Sequence, residues 1–577
     1  MLLFHLTCQP NHGLLESHIA MNQHLLALLA LASPVVFIAT ALASTLQPGL
    51  RPGLIKRMST AATLISIGVA ALCSYSVFSY GLLETSLLGV QDIGLRLRLD
   101  SLSVLMFSMI ALLGFIVVRY SFNYLDGDAR QGIFLGRLAA AIASVQLLVL
   151  SGNLGLLFLS WVLTSMSLHR LLLFYGERSG AIVAARKKFI MARLSDVCLL
   201  AAVVLLYLQF GTGRLETIFQ VIKTTLASGD SLPGLDLVAV FLVGAALLKS
   251  AQFPTHGWLI EVMETPTPVS ALLHAGLLNA GPFLIVRMAY VMEASTYAPL
   301  VLIVVGGFTA LFASVVFLTQ TSIKTALGYS SVAHMGFSLL VCGLGVYAAA
   351  MLHLVAHSFY KAHSFLSSGS VIDTIRSAKV TAAKRTGNPF RIGLGILLGL
   401  GVYTGFALLW GIDPVKEASL LAIGAIIAMG LSRLFTSALD SNGSLKLVLR
   451  ATLLSLLVVA AFFTLESGAH HLLLTQIPEL STPSLTKIIL TGALLVAFGA
   501  VVFSQIVAPS LTNHPSYRAL AIHLRNGLYA NTILDRIVGA LYSHDAESQP
   551  KVSDHFEAIA HQKPLETEAL KPESVLD

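Results

Sequence analysis

Apolar blocks of about 18 to 24 residues recur along this chain, and that recurrence settles its fold class before any motif is read. Each block is long enough to cross a hydrocarbon layer ~30 Å thick as a helix. Lipid offers no water to an unpaired backbone group, so a spanning chain must be helical or close into a barrel. The alternating segments of about ten residues that build a barrel are absent. Of the 577 residues 56% are hydrophobic and 11% charged, with a mean hydropathy of +0.81. A soluble domain carries about 25% charged residues and would aggregate with so few. The expected fold is therefore all-α, a polytopic bundle of membrane helices.

Helices are predicted at 24–46, 60–83, 100–120, 134–150, 152–175, 190–210, 236–263, 266–289, 298–318, 325–345, 347–372, 390–411, 417–437, 446–470 and 485–508. That makes about fifteen spans by length. The seventh is expected to be discontinuous, because Pro254, Gly257 and Pro266 follow closely on Lys249. Helices broken inside a membrane commonly host ion or substrate sites. Lys and Arg gather after odd-numbered segments: Arg51, Lys56 and Arg57; Arg119, Arg130 and Arg137; Arg178, Arg186, Lys187, Lys188 and Arg193; Arg376, Lys379, Lys384, Arg385 and Arg391; Lys446 and Arg450. Loops after even-numbered segments are poor in both. A missed helix in the middle would scramble that parity, and the positive-inside rule then places the N-terminus outside and the C-terminus in the cytoplasm.

The same rule accounts for the net charge of +7 and the pI near 9.1 without nucleic acid. Cys8, Cys73, Cys198 and Cys342 form no metal-binding or disulfide pattern. Met21 directly precedes a good hydrophobic segment and is a candidate first residue beside Met1. Residues 517–542 place Leu and Ile at helical spacing among Arg518, Arg525 and Arg536, the pattern of an amphipathic helix on a membrane or a partner. Past Ser543 an acidic polar tail begins.

The ionisable residues inside apolar blocks carry the functional argument. Lys249 lies in such a block, far from the nearest basic loop. A charge at the bilayer centre costs about 2.5–3.5 kcal/mol on insertion scales, so residues of this kind pair or line a pathway. Snorkelling to the interface is the competing explanation. His274 sits in the apolar run after Pro266 and Pro268, and an imidazole suits proton relay. His334 follows on the tenth segment, then His353, His357, Lys361 and His363 on the eleventh. Positions 353, 357 and 361 stack on one helix face. Such a stripe can pass protons through water; its His-x-x-x-His spacing can also bind zinc, but no adjacent carboxylate or cysteine completes a site. Arg193 and Asp196, three residues apart, can pair with each other. His169 and Arg170 suit an interface. Lys324 suits a helix anchor. Glu261 and Glu264 are candidates for a pathway mouth or for pairing with a lysine. No dinucleotide loop, Walker loop or His-Glu-x-x-His is present, so energy must come from an ion gradient or a partner.

The run from Lys249 through Phe253-Pro254-Thr255-His256-Gly257-Trp258, then Pro266-Thr267-Pro268 to His274-Ala275, resembles the antiporter-like subunits of respiratory complex I and of multisubunit cation/proton antiporters. Ile323-Lys324-Thr325-Ala326-Leu327-Gly328-Tyr329 to His334 and His353-Leu354-Val355-Ala356-His357 to Lys361 resemble the same family, over roughly 95–375. The resemblance implies two inverted five-helix repeats, at segments four to eight (126–290) and nine to thirteen (291–440). Three helices precede them in 1–125, two follow in 441–512, and 513–577 forms a cytoplasmic helix and tail. By position it implies that Lys249 is the central lysine of a half-channel, His274 its relay, and Lys324, His334, His353, His357 and Lys361 the connection onward. Two departures stand out. Trp161 is followed by Val162 where the family has a glutamate, and the twelfth segment has no lysine.

Thr164-Ser165-Met166-Ser167-Leu168-His169-Arg170 and the C-terminal His523-Leu524-Arg525-Asn526 resemble a narrower branch, the membrane subunits of DAB-type inorganic-carbon transporters. That resemblance implies a bacterial inner-membrane protein, an ion path serving bicarbonate accumulation, and a cytoplasmic DabA-like partner carrying the zinc of a β-type carbonic anhydrase. No cofactor is expected in this chain, which is not itself expected to be an enzyme. A cation/proton antiporter or complex I subunit is the alternative reading, and a passive membrane anchor for an enzyme is another.

Overall fold

The computed structural model describes residues 23–262, 265–370, 389–440, 445–511 and 515–541. Met21, Glu264 and the acidic tail lie outside them. Within these limits the chain is a bundle of membrane-length helices. It opens with α1 (Gln23–Ala43) and α2 (Gly53–Tyr80), then two short antiparallel strand pairs, in which β1 (Leu83–Glu84) pairs with β4 (Arg98–Leu99) around β2 (Leu88–Val90) and β3 (Ile93–Leu95). Next come α3 (Ser101–Tyr124), α4 (Gln131–Val149), α5 (Leu154–Leu172) and α6 (Ser179–Phe210). The ends follow local chemistry. Asp100 accepts the Ser103 N–H at 2.8 Å, Asn153 the Leu156 N–H at 2.7 Å, and left-handed Gly211 closes α6.

The middle of the chain is the least regular part. A short amphipathic helix, α7 (Leu215–Ala227), precedes α8 (Leu235–Lys249), which stops inside the bundle and resumes only as α9 (Gly257–Glu261). The next segment is broken too, into α10 (Thr267–Ala275), a 3-10 turn at Leu277–Asn279, α11 (Ala280–Arg287) and α12 (Ala289–Glu293). Then follow α13 (Ala298–Phe317), α14 (Ile323–Gly343), α15 (Tyr347–Leu366), α16 (Pro389–Trp410), α17 (Ala418–Asp440), α18 (Leu445–Leu473) and α19 (Leu485–Leu511). Two short helices, α20 (Pro515–Arg525) and α21 (Ala530–Leu541), end the described chain.

Among the described residues, 13 helices are long and apolar enough to span a membrane. The expected seventh segment falls short because it is broken, and α15 because His353, His357, Lys361 and His363 dilute its apolar character. Four expectations need correction. The eighth segment, expected whole, is interrupted at Gly276. The stretch before α8 is a helix, with Leu215, Ile218, Phe219 and Ile222 on its buried face. The C-terminal amphipathic region is two helices with a kink at 527–529. Finally, α6 begins about eleven residues earlier than expected, so Lys187 and Lys188 are buried helix residues and not loop cations.

Loop contacts sort into two groups at opposite ends. At one end Lys56 meets Asp126, Arg130 meets Glu177, and Gln320 donates to the Arg525 carbonyl. At the other, Arg214 meets Glu84, Lys223 donates to the Thr475 carbonyl, and Tyr290 donates to the Ile477 carbonyl. The second end is pinned by a buried ion cluster. Arg98 Nε donates to Asp100 at 2.7 Å, Arg287 Nη1 to the same oxygen at 2.5 Å, and Arg98 Nη1 to Glu216 at 2.6 Å. One carboxylate thereby ties β4 and the start of α3 to the end of α11.

Burial alone would raise the Asp100 carboxyl, but Arg287 and Arg98 outweigh it and hold the group below the usual carboxylate range. Its contribution to stability is therefore complete above the ordinary value of 3.8 and lost as pH falls through the lower folded value. Asp100→Asn leaves Arg287 without its counter-charge and beside Arg98, which keeps Glu216. The expected cost is about 3–5 kcal/mol, read as a lower thermal midpoint in detergent. An unchanged midpoint would show that the cluster does not hold this end.

Candidate ion pathway

Lys249 is the last residue of α8, and its side chain reaches across to α5. Its Nζ donates to the Trp161 carbonyl at 3.0 Å, to Thr164 Oγ1 at 3.0 Å and to Ser165 Oγ at 2.5 Å, and lies 4.4 Å from the Trp161 ring centre. All three donations go to α5, and Trp161, Thr164 and Ser165 are buried. The break that follows is held by Ala251 in the left-handed region at φ 52°. That conformation costs an L-residue about 1–2 kcal/mol. Snorkelling does not occur, because the lysine stays inside the bundle.

A carboxylate stands on the neighbouring helix. Asp196 on α6 is ion-paired to Arg193 at 2.7 Å, and both charges act on Lys249. Lys188 joins from the same helix, its Nζ donating to the Ser165 carbonyl at 2.5 Å. Ser165 thus takes one lysine on its hydroxyl and another on its carbonyl. A cavity of about 20 Å³ lies among Thr164, Ser165, Lys188, Lys249 and Leu277, enough for one water. His169, near the end of α5, is half-buried with its ring 5.3 Å from that of Phe189.

The two broken segments meet at the lysine. Ser250 Oγ donates to the Leu278 carbonyl at 3.3 Å, and Gly281 is needed there because a Cβ would lie 2.0 Å from that hydroxyl. His274 sits in the last turn of α10, fully buried, stacked on Phe365 at 4.3 Å. Neither ring nitrogen of His274 has a partner, although buried polar atoms are usually paired. Asn279 then bridges to α15, its Nδ2 donating to Ser358 Oγ at 2.7 Å.

The stripe on α15 forms as its spacing requires. Lys361 is buried and donates to the Leu327 carbonyl at 3.2 Å; His357 is buried one turn away with both nitrogens unpartnered; His353 follows, its ring centre 5.9 Å from that of His357. His334 of α14 closes the group, with Nδ1 3.2 Å from His353 Nε2. Beyond His334 and His353 opens a cavity of about 640 Å³ lined by apolar side chains such as Phe337, Ile423 and Phe498. His363 is exposed and off the stripe, and Lys324 stands half-buried in the first turn of α14, apart from it. Glu261 does pair with a lysine, but with Lys187.

The ligand nitrogens of His334, His353 and His357 lie within 4.8 Å of one another. Three imidazoles could supply part of a tetrahedral metal site. The group contains no carboxylate or thiol, however, and the charge of Lys361 reaches both His334 and His357. A divalent ion would therefore sit beside a cation with nothing to offset it, whereas the hydrogen-bonded His334–His353 pair with the free nitrogens of His357 beside it suits proton hand-over.

Comparison with known proteins places this geometry. The family model described as NADH:quinone oxidoreductase/Mrp antiporter, TM, matches residues 151–388, and that of the complex I chain 5 N-terminus matches 88–135. The protein named "Probable inorganic carbon transporter subunit DabB2" in Halothiobacillus neapolitanus is 35% identical over 543 residues, covering 92% of this chain and 97% of that one. The chain belongs to the DabB family of inorganic carbon transporter subunits. A DabB relative in Hydrogenovibrio crunogenus is 40% identical over 286 residues, 49% of this chain and 54% of its own length. NADH-quinone oxidoreductase subunit L of Escherichia coli is 35% identical over 321 residues, 53% of this chain and 52% of its own length. The structure of the Mrp complex from Dietzia sp. DQ12-45-1b shares the fold, with a TM-score of 0.60 at 22% identity over 92% of this chain and 61% of that one. This DabB-family chain is thus a multi-pass membrane protein of antiporter-like fold, and its relatives are named as subunits of larger transporters.

Residues missed by sequence reasoning are the polar groups that receive Lys249, namely the Trp161 carbonyl, Thr164 and Ser165, and the buried pair Lys187 and Lys188. Removing the Ser165 hydroxyl alone tests the arrangement, because the carbonyl that serves Lys188 remains. A hydrogen bond to a charged group is worth about 1.5–3 kcal/mol, so Ser165→Ala should slow ion flux into liposomes by about tenfold or more. Wild-type flux in that variant would show that Lys249 does not depend on this contact.

Proposed function

We propose that this chain conducts protons through the membrane and couples that flow to inorganic-carbon accumulation by a cytoplasmic zinc protein of the carbonic-anhydrase type. The observation that carries the reading is the run of basic groups from Lys249 past His274 to Lys361 and His357, all buried, and on to the half-buried His334 and His353, spanning both halves of the matched region. Protons are favoured over sodium because every group in the run is an amine or an imidazole. Sodium seeks oxygen ligands, and the oxygens around Lys249 are already taken by its ammonium. Lys249 is the switchable base at the centre, Asp196 with Arg193 sets the field around it, and the histidines relay. In this reading the basic-loop end faces the cytoplasm of a bacterial cell, with the inner membrane as the site of action. The partner docks at that end, where the C-terminal helices lie, and supplies the zinc.

The named relatives support the carbon substrate, and the antiporter-like fold supports an ion path. The test is growth in ambient air of a bacterium lacking carbonic anhydrase. Expressing this chain alone or the partner alone should leave it unable to grow, and expressing both should rescue it. Rescue by this chain alone would sink the two-subunit reading.

A further inference from the structure

The C-terminal helices are folded back onto α6 and α9, close to the break after Lys249. Lys187 on α6, with 1% of its side chain exposed, is ion-paired to Glu261 at the end of α9 and also to Asp535 on α21. Two carboxylates therefore share one buried ammonium. Asp535 is the more exposed of the two, at 47% against 28% for Glu261, so it is the one that can leave for water at least cost. Around this contact the seam is close but incompletely satisfied. The Asn531 side chain presses on Gly257, the first residue of α9, so closely that a Cβ at 257 would sit 2.1 Å from Asn531 Oδ1. That oxygen is buried without a donor, as is the second oxygen of Glu261. Leu534 and Val538 face inward and hold the helix down, while Ile537 on the outer side is exposed. One residue further along α6, Lys188 begins the chain of contacts through Ser165 to Lys249.

We propose that Asp535 is a positioning residue for the pathway, and that α21 is a clasp over the break between α8 and α9 which must lift for ions to pass. The proposal rests on the conducting reading above. With the clasp closed, α9 is trapped between α6 and α21, and Lys187 is held by both acids. With it lifted, Glu261 alone holds Lys187, and the 250–256 segment behind Lys249 gains freedom to admit water. Unpaired buried oxygens at the seam favour such an exchange, because they find donors in water once it opens.

The full chain in liposomes, followed by dissipation of an imposed pH gradient, tests this. In Gly257→Cys/Asn531→Cys, the second substitution removes the atoms that the first would meet, so the reduced protein should fold and conduct. Oxidation should then cut flux at least tenfold and dithiothreitol restore it, while each single variant ignores oxidation. Asp535→Asn should instead raise flux several-fold, a gain that a merely structural contact would not give. Cross-linked protein conducting as fast as reduced protein, or Asp535→Asn conducting no faster than wild type, would overturn the clasp. Lys249→Ala run in parallel separates the two ideas. If it conducts like wild type, the pathway reading itself fails. If it does not conduct while the cross-link has no effect, only the clasp does.

Discussion

An ammonium inside hydrocarbon has to find oxygen, and much of the bundle is arranged so that Lys249 does. Its carbonyl and two hydroxyls come from one helix, its field from Asp196 and Arg193 on a second, and its position from the terminus of a third. None of these carries a full charge directly onto the amine. The site therefore holds the lysine by neutral dipoles and leaves Asp196 already paired with an arginine. Such an arrangement keeps both protonation states of the amine within reach, whereas a direct carboxylate contact would lock the charged one.

The two ends of the molecule do different work. One end is tied together by Asp100, which bridges two arginines and draws the strands, α3 and α11 together. The other carries the short α9, the basic loops and the returning C-terminal helices.

Legibility in the sequence followed charge contrast. Lys249, His274 and the 353/357/361 stripe were readable because a basic side chain inside an apolar block violates its surroundings, and the four-residue spacing already put three groups on one face. Lys187 and Lys188 offered no contrast: they stand in a basic run that resembles any cytoplasmic loop, and their partners, the acids on α9 and α21 for Lys187 and the Ser165 carbonyl for Lys188, lie far off in sequence or in the backbone. Thr164 and Ser165 are common in membrane helices and carry no charge to mark them, and the Trp161 carbonyl is a backbone atom invisible to any motif. Helix α7 was missed for a different reason. Its apolar residues at 215, 218, 219 and 222 have helical spacing, but thirteen residues are too few for a search based on membrane-length blocks. The interruption of the eighth segment at Gly276 was hidden because a glycine in an apolar run is ordinary in membrane helices.

Everything here depends on Lys249 being a working base and not an inherited charge. The direct measurement is growth in ambient air of a carbonic-anhydrase-deficient bacterium carrying this chain and its cytoplasmic partner, with wild type compared against Lys249→Ala at equal membrane expression and equal complex assembly. Loss of growth with the complex intact is the predicted result. Unchanged growth would contradict the account and leave the chain as a membrane anchor for its partner.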